Sequence, residues 1–204
     1  MEEKKYAQGL KYEKRRHSYL LGRLSAKHAL REIEKRQALE SFHIDYGIFQ
    51  FPVVKHALHE NWQVSISHSD NVGLALAFPE AHPMGIDIEK IEDKITDTLE
   101  SQITTSEKSL LEQLNIANDM GHTLLWTMKE ALSKIFKTGL MMDFKSLEVQ
   151  SLEFNNGYYQ GEYTNCAQYK TRSFVSSEHV CTIALPKNTQ VDLADYQKQL
   201  KQVL

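Results

Sequence analysis

The 204-residue chain contains WTMKEALSK at residues 126–134 and GIDIE at residues 85–89. Apolar side chains recur at three- and four-residue spacing around the first segment, which predicts a helix. The second segment alternates apolar and acidic residues, which predicts a strand with both carboxylates on one face. Outward from these segments, a helical pattern followed by short β-like segments occurs twice. The sequence therefore predicts an α+β fold with two similar halves.

The helical patterns cover residues 10–39, 105–114 and 122–137, with a closing helix over 191–203. Strands are expected at residues 46–51, 62–67, 72–78, 84–89, 146–152, 157–163, 168–175 and 179–185. The turn between residues 67 and 72 predicts a hairpin. We place an N-terminal α+β half at residues 1–83 and a C-terminal α+β half, which carries both acidic motifs, at residues 84–204.

Composition excludes several classes of protein. Hydrophobic residues make up 41%, charged residues 25%, and the formal net charge is -3. This balance is typical of a soluble globular protein and gives no global basic field for nucleic acid or an acidic membrane. The longest apolar run, Val72 to Phe78, is too short to span a bilayer, and the N-terminus lacks the apolar core of a signal peptide. Two cysteines without metal-type spacing complete the expectation of a cytoplasmic protein.

Three carboxylates form the first candidate site. Asp87 and Glu89 share one strand face, where their like charges repel unless a cation lies between them. Carboxylate oxygens suit magnesium. Water and substrate phosphate fill the remaining coordination positions of the ion. An ordinary exposed strand end is the competing interpretation. Glu130 and Lys134 lie on one helix face, where a simple intrahelical ion pair would also explain them.

Ser67 and His68 form a second candidate site at the end of a predicted strand. A hydroxyl and an imidazole there could contact a phosphate, although a turn histidine beside serines explains the pattern as well. Gly22 inside a predicted helix costs about 1 kcal/mol relative to alanine, and close packing against a neighbouring element would account for it.

The ordered set of these motifs resembles the 4′-phosphopantetheinyl transferases, in particular the longer surfactin-synthetase-activating type. The resemblance runs from about residue 12 to 185. It rests on LGR at 21–23 with Ala26-Lys27, SHS at 67–69, GIDIE at 85–89, the Trp126–Lys134 helix and KTGL at 137–140. It implies a pseudo-dimeric fold, a monomer of two similar halves with the active site in the cleft between them.

The resemblance also implies a reaction, in which 4′-phosphopantetheine passes from coenzyme A to a serine of an apo acyl or peptidyl carrier protein and 3′,5′-ADP is released. Matched by motif position, Asp87, Glu89 and Glu130 correspond to the Mg²⁺ ligands. Glu130 is also the candidate base, and Lys134 the pyrophosphate contact. Ser67 and His68 correspond to contacts with the 3′-phosphate and adenosine. The resemblance implies no nucleic-acid or membrane partner.

The sequence departs from the family pattern in two places. Gln50-Phe51-Pro52 stands where members commonly carry Gly-Lys-Pro, so the lysine that contacts coenzyme A is missing, and Lys55 is a candidate substitute. Basic contacts ahead of the first long helix would come from Lys4, Lys5 or Arg16. The alternatives are a catalytically idle module that binds coenzyme A or a carrier protein, and a magnesium-dependent phosphohydrolase.

Overall fold

The chain forms two units, Met1–Pro83 and Met84–Leu204, in a computed structural model that describes residues 2–55, 61–92, 97–192 and 200. Each unit mixes helices with antiparallel strands, so the mixed α+β class is confirmed. Within the described residues, the first unit holds two two-stranded sheets and the second holds one five-stranded sheet. The likeness of the two halves and the pseudo-dimeric arrangement stay predictions.

The first unit is built on one long helix. It contains helices α1 (Glu2–Gly9) and α2 (Glu13–Ile33) and strands β1 (His43–Tyr46), β2 (Pro52–Lys55), β3 (Trp62–Ser69) and β4 (Val72–Pro79). Strand β1 pairs with β2 and β3 with β4, both antiparallel. Helix α2 buries Ala26 and Leu30 in the core of the unit. A Cβ on Gly22 would lie 3.0 Å from Ile66 Cγ2, which confirms that this glycine allows close packing.

The strand predicted over residues 46–51 is wrong, because this segment is the turn between β1 and β2. Gln50 has a φ of 63°, in the left-handed region that does not continue a strand. The ring of Phe51 covers Gly47, where any Cβ would lie 2.4 Å from the ring. The predicted β3–β4 hairpin is confirmed, and Asp70 in its turn has a φ of 48°.

The second unit surrounds helix α5. Its elements are strand β5 (Gly85–Lys90), helices α3 (Asp97–Ser101), α4 (Thr105–Gln113) and α5 (Asn118–Phe136), and strands β6 (Val149–Asn155), β7 (Tyr158–Tyr163), β8 (Tyr169–Val175) and β9 (His179–Pro186). The antiparallel sheet has the order β5-β9-β8-β7-β6. The predicted strands of this unit are confirmed within about three residues. Helix α5 packs on β5 and β9, and its Leu124, Met128 and Leu132 are fully buried in the core.

The helix ends differ from the predictions in detail. Thr104 and Glu107 form a reciprocal capping box at the start of α4. Helix α5 begins four residues before the predicted start and ends at Phe136. The residue that ends it is Lys137, which takes the left-handed conformation, and not Gly139 as predicted. The helix predicted over residues 191–203 lies almost entirely outside the described residues. Over the ranges that the structure describes, no helix combines the length and the apolar character needed to cross a bilayer.

Candidate active site

Strand β5 and helix α5 meet at Gly85. A Cβ at this position would lie 1.9 Å from the carbonyl oxygen of Ala131, so only glycine allows the observed approach. Asp87 follows Gly85 by two residues on the strand, and Glu130 precedes Ala131 on the helix. The glycine of the GIDIE motif therefore lets the acidic residues of the strand and of the helix come together.

Lys134 links the helix to the strand directly. Its Nζ donates to Asp87 Oδ1 at 2.8 Å and to the Ile86 carbonyl oxygen at 2.8 Å. Asp87 is 3% exposed, so this carboxylate sits in a low-dielectric environment in which a nearby cation is strongly stabilising. Lys134 of the helix motif thus contacts Asp87 of the strand motif. A simple intrahelical ion pair between Glu130 and Lys134 would not require this contact.

The remaining two carboxylates are electrostatically coupled to Asp87. Burial, together with the charge of Asp87, raises the pKa of Glu89 to about 8, while Lys134 opposes the rise. Burial and the charge of Asp87 also raise the pKa of Glu130 to about 7, again against the effect of Lys134. Three carboxylates and one ammonium group therefore interact as a set, and the set carries excess negative charge when ionised.

The donor chemistry of this set fits magnesium. Carboxylate oxygens are hard ligands, and a cation would stabilise the ionised forms of Glu89 and Glu130, whose pKa values are raised by burial and then by the charge of Asp87. Within the described ranges, no group of three or more His, Cys, Asp or Glu side chains is already gathered closely enough to hold a metal. Magnesium commonly uses one or two carboxylates with waters and substrate phosphates, so a closed protein cage is not required.

A buried ion pair next to Glu130 was not anticipated from the sequence. Lys129 Nζ donates to Glu107 Oε2 at 2.7 Å and to the Gln102 carbonyl oxygen at 2.8 Å, with both charged side chains at most 1% exposed. The same Glu107 carboxylate accepts the Thr104 and Val149 backbone N–H groups. This network ties α5 to α4 and β6. In the sequence, Glu107 stands three residues after Thr104, and its place in the capping box of α4 is enough to explain it.

In the first unit, the predicted contacts of coenzyme A lie in different places. Ser67 is buried and His68 is exposed near the end of β3. Lys5 on α1 and Arg16 on α2 are both exposed. Lys55 forms an exposed ion pair with Asp45 at the end of β2, and this pair lines a pocket within the unit.

That pocket contains Arg23, a residue of the LGR motif to which the sequence pattern assigned no binding role. It has a volume of about 200 Å³ and is lined by Glu3, Tyr6, Tyr19, Arg23, His43, Ile44, Asp45, Tyr46 and Lys55. Arg23 is 7% exposed, and its guanidinium carbon lies 4.9 Å from the Tyr19 ring centroid and 4.4 Å from that of Tyr46. Its buried Nε and Nη2 have no hydrogen-bond partner among the described residues. A buried guanidinium with unused donors suits an anionic group.

Two comparisons with known proteins are consistent with this arrangement. The sequence profile of the 4′-phosphopantetheinyl transferase superfamily matches residues 83–184, which include the whole acidic set. The chain is also 28% identical to enterobactin synthase component D of Salmonella typhi over 146 residues, 68% of this chain and 56% of that protein. It thus spans about half the length of this curated relative. The profile match covers half of the chain, and the chain belongs to the 4′-phosphopantetheinyl transferase superfamily.

Proposed function

We propose that the protein transfers 4′-phosphopantetheine from coenzyme A to a serine hydroxyl of an apo acyl or peptidyl carrier protein. Family membership supports phosphopantetheine transfer in general. The contact between Lys134 and Asp87 is the observation that carries the proposal to this chain, because it brings the helix motif onto the strand motif. The surfactin-activating type, a monomeric pseudo-dimer with its active site in a cleft, and a cytoplasmic location belong to the same proposal.

The chemistry is a single displacement at phosphorus. The serine oxygen forms a bond to the phosphorus that bears pantetheine, and the bond from this phosphorus to the bridging oxygen breaks, so that 3′,5′-ADP leaves. Glu130 takes the serine proton as the general base. The ammonium group of Lys134 offsets the negative charge on the pyrophosphate.

Asp87, Glu89 and Glu130 are the residues that would hold Mg²⁺. When bound, magnesium supplies charge neutralisation on the pyrophosphate and the leaving group. Asp87 and Glu89 would supply ligands from the strand and Glu130 from the helix, and the close approach of the two elements at Gly85 supports this assignment. Glu130 therefore has two candidate roles, as ligand and as base.

Arg23 is our candidate for the contact that replaces the missing Gly-Lys-Pro lysine. Its two unused donors, its aromatic stacking and its burial provide a prepared site for a phosphate of coenzyme A. Lys55 lines the same pocket but is exposed and paired with Asp45. We therefore expect Arg23→Gln to raise the KM for coenzyme A more than Lys55→Gln does.

The decisive experiment combines the protein with coenzyme A, Mg²⁺ and several apo carrier proteins, and records the intact mass of each carrier. The expected result is one added phosphopantetheine group on a carrier and release of 3′,5′-ADP. Asp87→Asn is the matched inactive control. Binding of coenzyme A or a carrier without transfer would indicate an idle binding module, and nucleotide release without a carrier would indicate a hydrolase.

A further inference from the structure

Three hydroxyl side chains form a buried hydrogen-bonded chain between helix α5 and the five-stranded sheet of the second unit. Thr127 Oγ1 of α5 lies 2.8 Å from Thr182 Oγ1 of β9, and this atom lies 2.7 Å from Ser173 Oγ of β8. All three residues are 0% exposed. None of them has a part in the proposed chemistry, so the chain asks for another explanation.

The number of protons fixes the direction of this hydroxyl chain. Thr127 donates its proton to the Leu124 carbonyl oxygen at 3.0 Å. Because a hydroxyl group has one proton, Thr182 donates to Thr127 and Ser173 donates to Thr182. The chain ends on a backbone carbonyl, which accepts a hydrogen bond but passes no proton on, so it does not serve as a proton relay. What it supplies is a directional link between helix and sheet.

This link lies beside the acidic set. In the sheet, Thr182 of β9 stands directly opposite Asp87 of β5. Directly paired residues of an antiparallel sheet share one face, and Thr182 reaches α5, so Asp87 lies on the face toward the helix. On α5, Thr127 precedes Glu130 by three residues and Lys134 by seven, spacings that keep all three on one side of the helix. The hydroxyl link and the Lys134–Asp87 contact therefore join the same helix side to the same sheet face.

Packing alone does not explain hydroxyl groups at these positions. The neighbouring core positions of α5, Leu124, Met128 and Leu132, are apolar. Valine has nearly the shape of threonine and would fill the space without burying a polar group. Apolar contacts are non-directional and tolerate small rotations of a helix, whereas a hydrogen bond fixes both distance and angle. A satisfied buried polar network therefore specifies one arrangement of the elements that it joins.

We propose that Thr127, Thr182 and Ser173 are positioning residues, which fix the rotation of α5 against β9 and thereby hold Glu130 in place relative to Asp87. The inference rests on the proposed function, because Glu130 and Asp87 are the carboxylates assigned there to magnesium and to the serine proton. Loss of the hydroxyl chain misplaces these carboxylates without removing either of them. Residues that orient metal ligands from outside are typically worth about 10–100-fold in metal affinity.

Thr182→Val tests the positioning role, because it removes the central hydroxyl and keeps the shape of the side chain. We expect the Kd for Mn²⁺, measured by electron paramagnetic resonance without any substrate, to rise about tenfold. In steady-state transfer, kcat should fall by about 10–10² while the KM for coenzyme A changes by less than about twofold. Thr182→Ser keeps the hydroxyl and should bring both values back close to those of the wild type.

Thr171→Val is the matched control. Thr171 on β8 is also 0% exposed, and its hydroxyl donates to the Gly161 carbonyl oxygen at 3.3 Å, outside the hydroxyl chain. This variant should lower the urea midpoint about as much as Thr182→Val does, and it should leave Mn²⁺ affinity and kcat unchanged. Thr127→Val breaks the central contact from the helix side and gives the same test if Thr182→Val does not fold. The double variant Thr127→Val/Thr182→Val should lose little more than either single variant, because both break one contact.

The outcomes separate this inference from the proposed function. A wild type that transfers phosphopantetheine, with unchanged Mn²⁺ affinity and kcat in Thr182→Val, overturns the positioning role and leaves the proposed function standing. If the wild type transfers nothing, but Thr182→Val weakens Mn²⁺ binding and Thr182→Ser restores it, the positioning role is supported and the proposed function is removed. Equal losses in Thr182→Ser or in Thr171→Val, or a wild type that does not bind Mn²⁺, overturn the inference.

Discussion

Lys134 supplies the positive charge that offsets the carboxylates Asp87, Glu89 and Glu130. Its ammonium group contacts Asp87, whose charge adds to the effect of burial in raising the pKa of Glu89 and Glu130. If Asp87 holds a cation as proposed, that cation would compete with Lys134 for this carboxylate. The proposed contact of Lys134 with a phosphate would then use the same ammonium group.

Lys134→Met should change metal binding and transfer in opposite directions. Removing the positive charge leaves the carboxylates more negative, so Mn²⁺, used as a spectroscopic substitute for Mg²⁺, should bind several-fold more tightly. Transfer should fall by about 10²–10³, as is typical for the loss of one group that stabilises charge in the transition state. Lys134→Arg is the control that keeps the charge. If Lys134→Met left the Mn²⁺ affinity unchanged, competition between the metal and the Lys134 ammonium group for Asp87 would be contradicted.

Glu130→Gln separates the two roles of this carboxylate. We expect transfer to fall by about 10²–10⁴ through loss of the general base. Mn²⁺ affinity should fall as well, but less than in Asp87→Asn, because the charge of Asp87 acts on both Glu89 and Glu130 whereas that of Glu130 acts on Glu89. Electron paramagnetic resonance of bound Mn²⁺ and single-turnover transfer measure the two effects separately. If Glu130→Gln lost metal as completely as Asp87→Asn, its role would be that of a ligand.

The contact between β5 and α5 belongs to the scale of whole elements. We expect Gly85→Ala to destabilise the protein by about 3 kcal/mol, because the new Cβ meets the Ala131 backbone at 1.9 Å and the two elements must separate. Mn²⁺ affinity should fall with it. Gly9→Ala is the matched control, since no atom lies within 4 Å of a Cβ at that position. Urea denaturation of both variants gives the comparison, and equal midpoints would show that the close approach is unimportant.

The Lys129–Glu107 pair joins α5 to α4, and Glu107 also accepts the Val149 N–H of β6, so the pair gives a prediction about stability. Lys129→Met would leave the fully buried Glu107 carboxylate without its cation, so we expect a loss of about 3–5 kcal/mol. Lys108→Met removes the exposed pair between Lys108 on α4 and Glu100 on α3 and should leave the denaturation midpoint nearly unchanged. Chemical denaturation measures both. Similar small losses in the two variants would show that the buried network contributes little.

At the scale of the whole molecule, the acidic set makes stability depend on pH. Glu89 and Glu130 have pKa values of about 8 and 7, above the ordinary value of 4.5, so the folded protein holds their protons more tightly than the unfolded chain does. Their contribution is fully present below pH 4.5 and is lost as pH rises through 7 and 8. The melting temperature of the metal-free protein should therefore fall across this window.

Glu89→Gln isolates this effect from the histidines that titrate in the same range. The variant should be more stable than the wild type at pH 8 and should differ little near pH 4.5. Mg²⁺ should raise the melting temperature of the wild type more at pH 8 than at pH 5.5, because it binds the ionised carboxylates. If the melting temperatures of the wild type and of Glu89→Gln differed by the same amount at every pH, Glu89 would not be the source of the pH dependence.

Local patterns predicted most of the fold. Strands β3 to β9 follow period-two alternation or short apolar runs, and α5 follows its apolar stripe, so periodicity was sufficient for them. The strand predicted over residues 46–51 was wrong because of the backbone conformation there. Gln50 has a left-handed φ, and the ring of Phe51 packs over Gly47. Apolar composition suggested a strand there, and nothing in the local pattern signalled the turn.

The sequence by itself determined the α+β class, the family and the order of the candidate residues, because these depend on local spacing and on residue type. Only the tertiary structure decided which charges meet. Lys134 contacts Asp87 across 47 positions of chain, Lys129 contacts Glu107, and Arg23 lies between two tyrosines in a pocket. These contacts depend on how closely helix and strand approach, and at Gly85 that distance is set by a missing side chain and a carbonyl oxygen on another element.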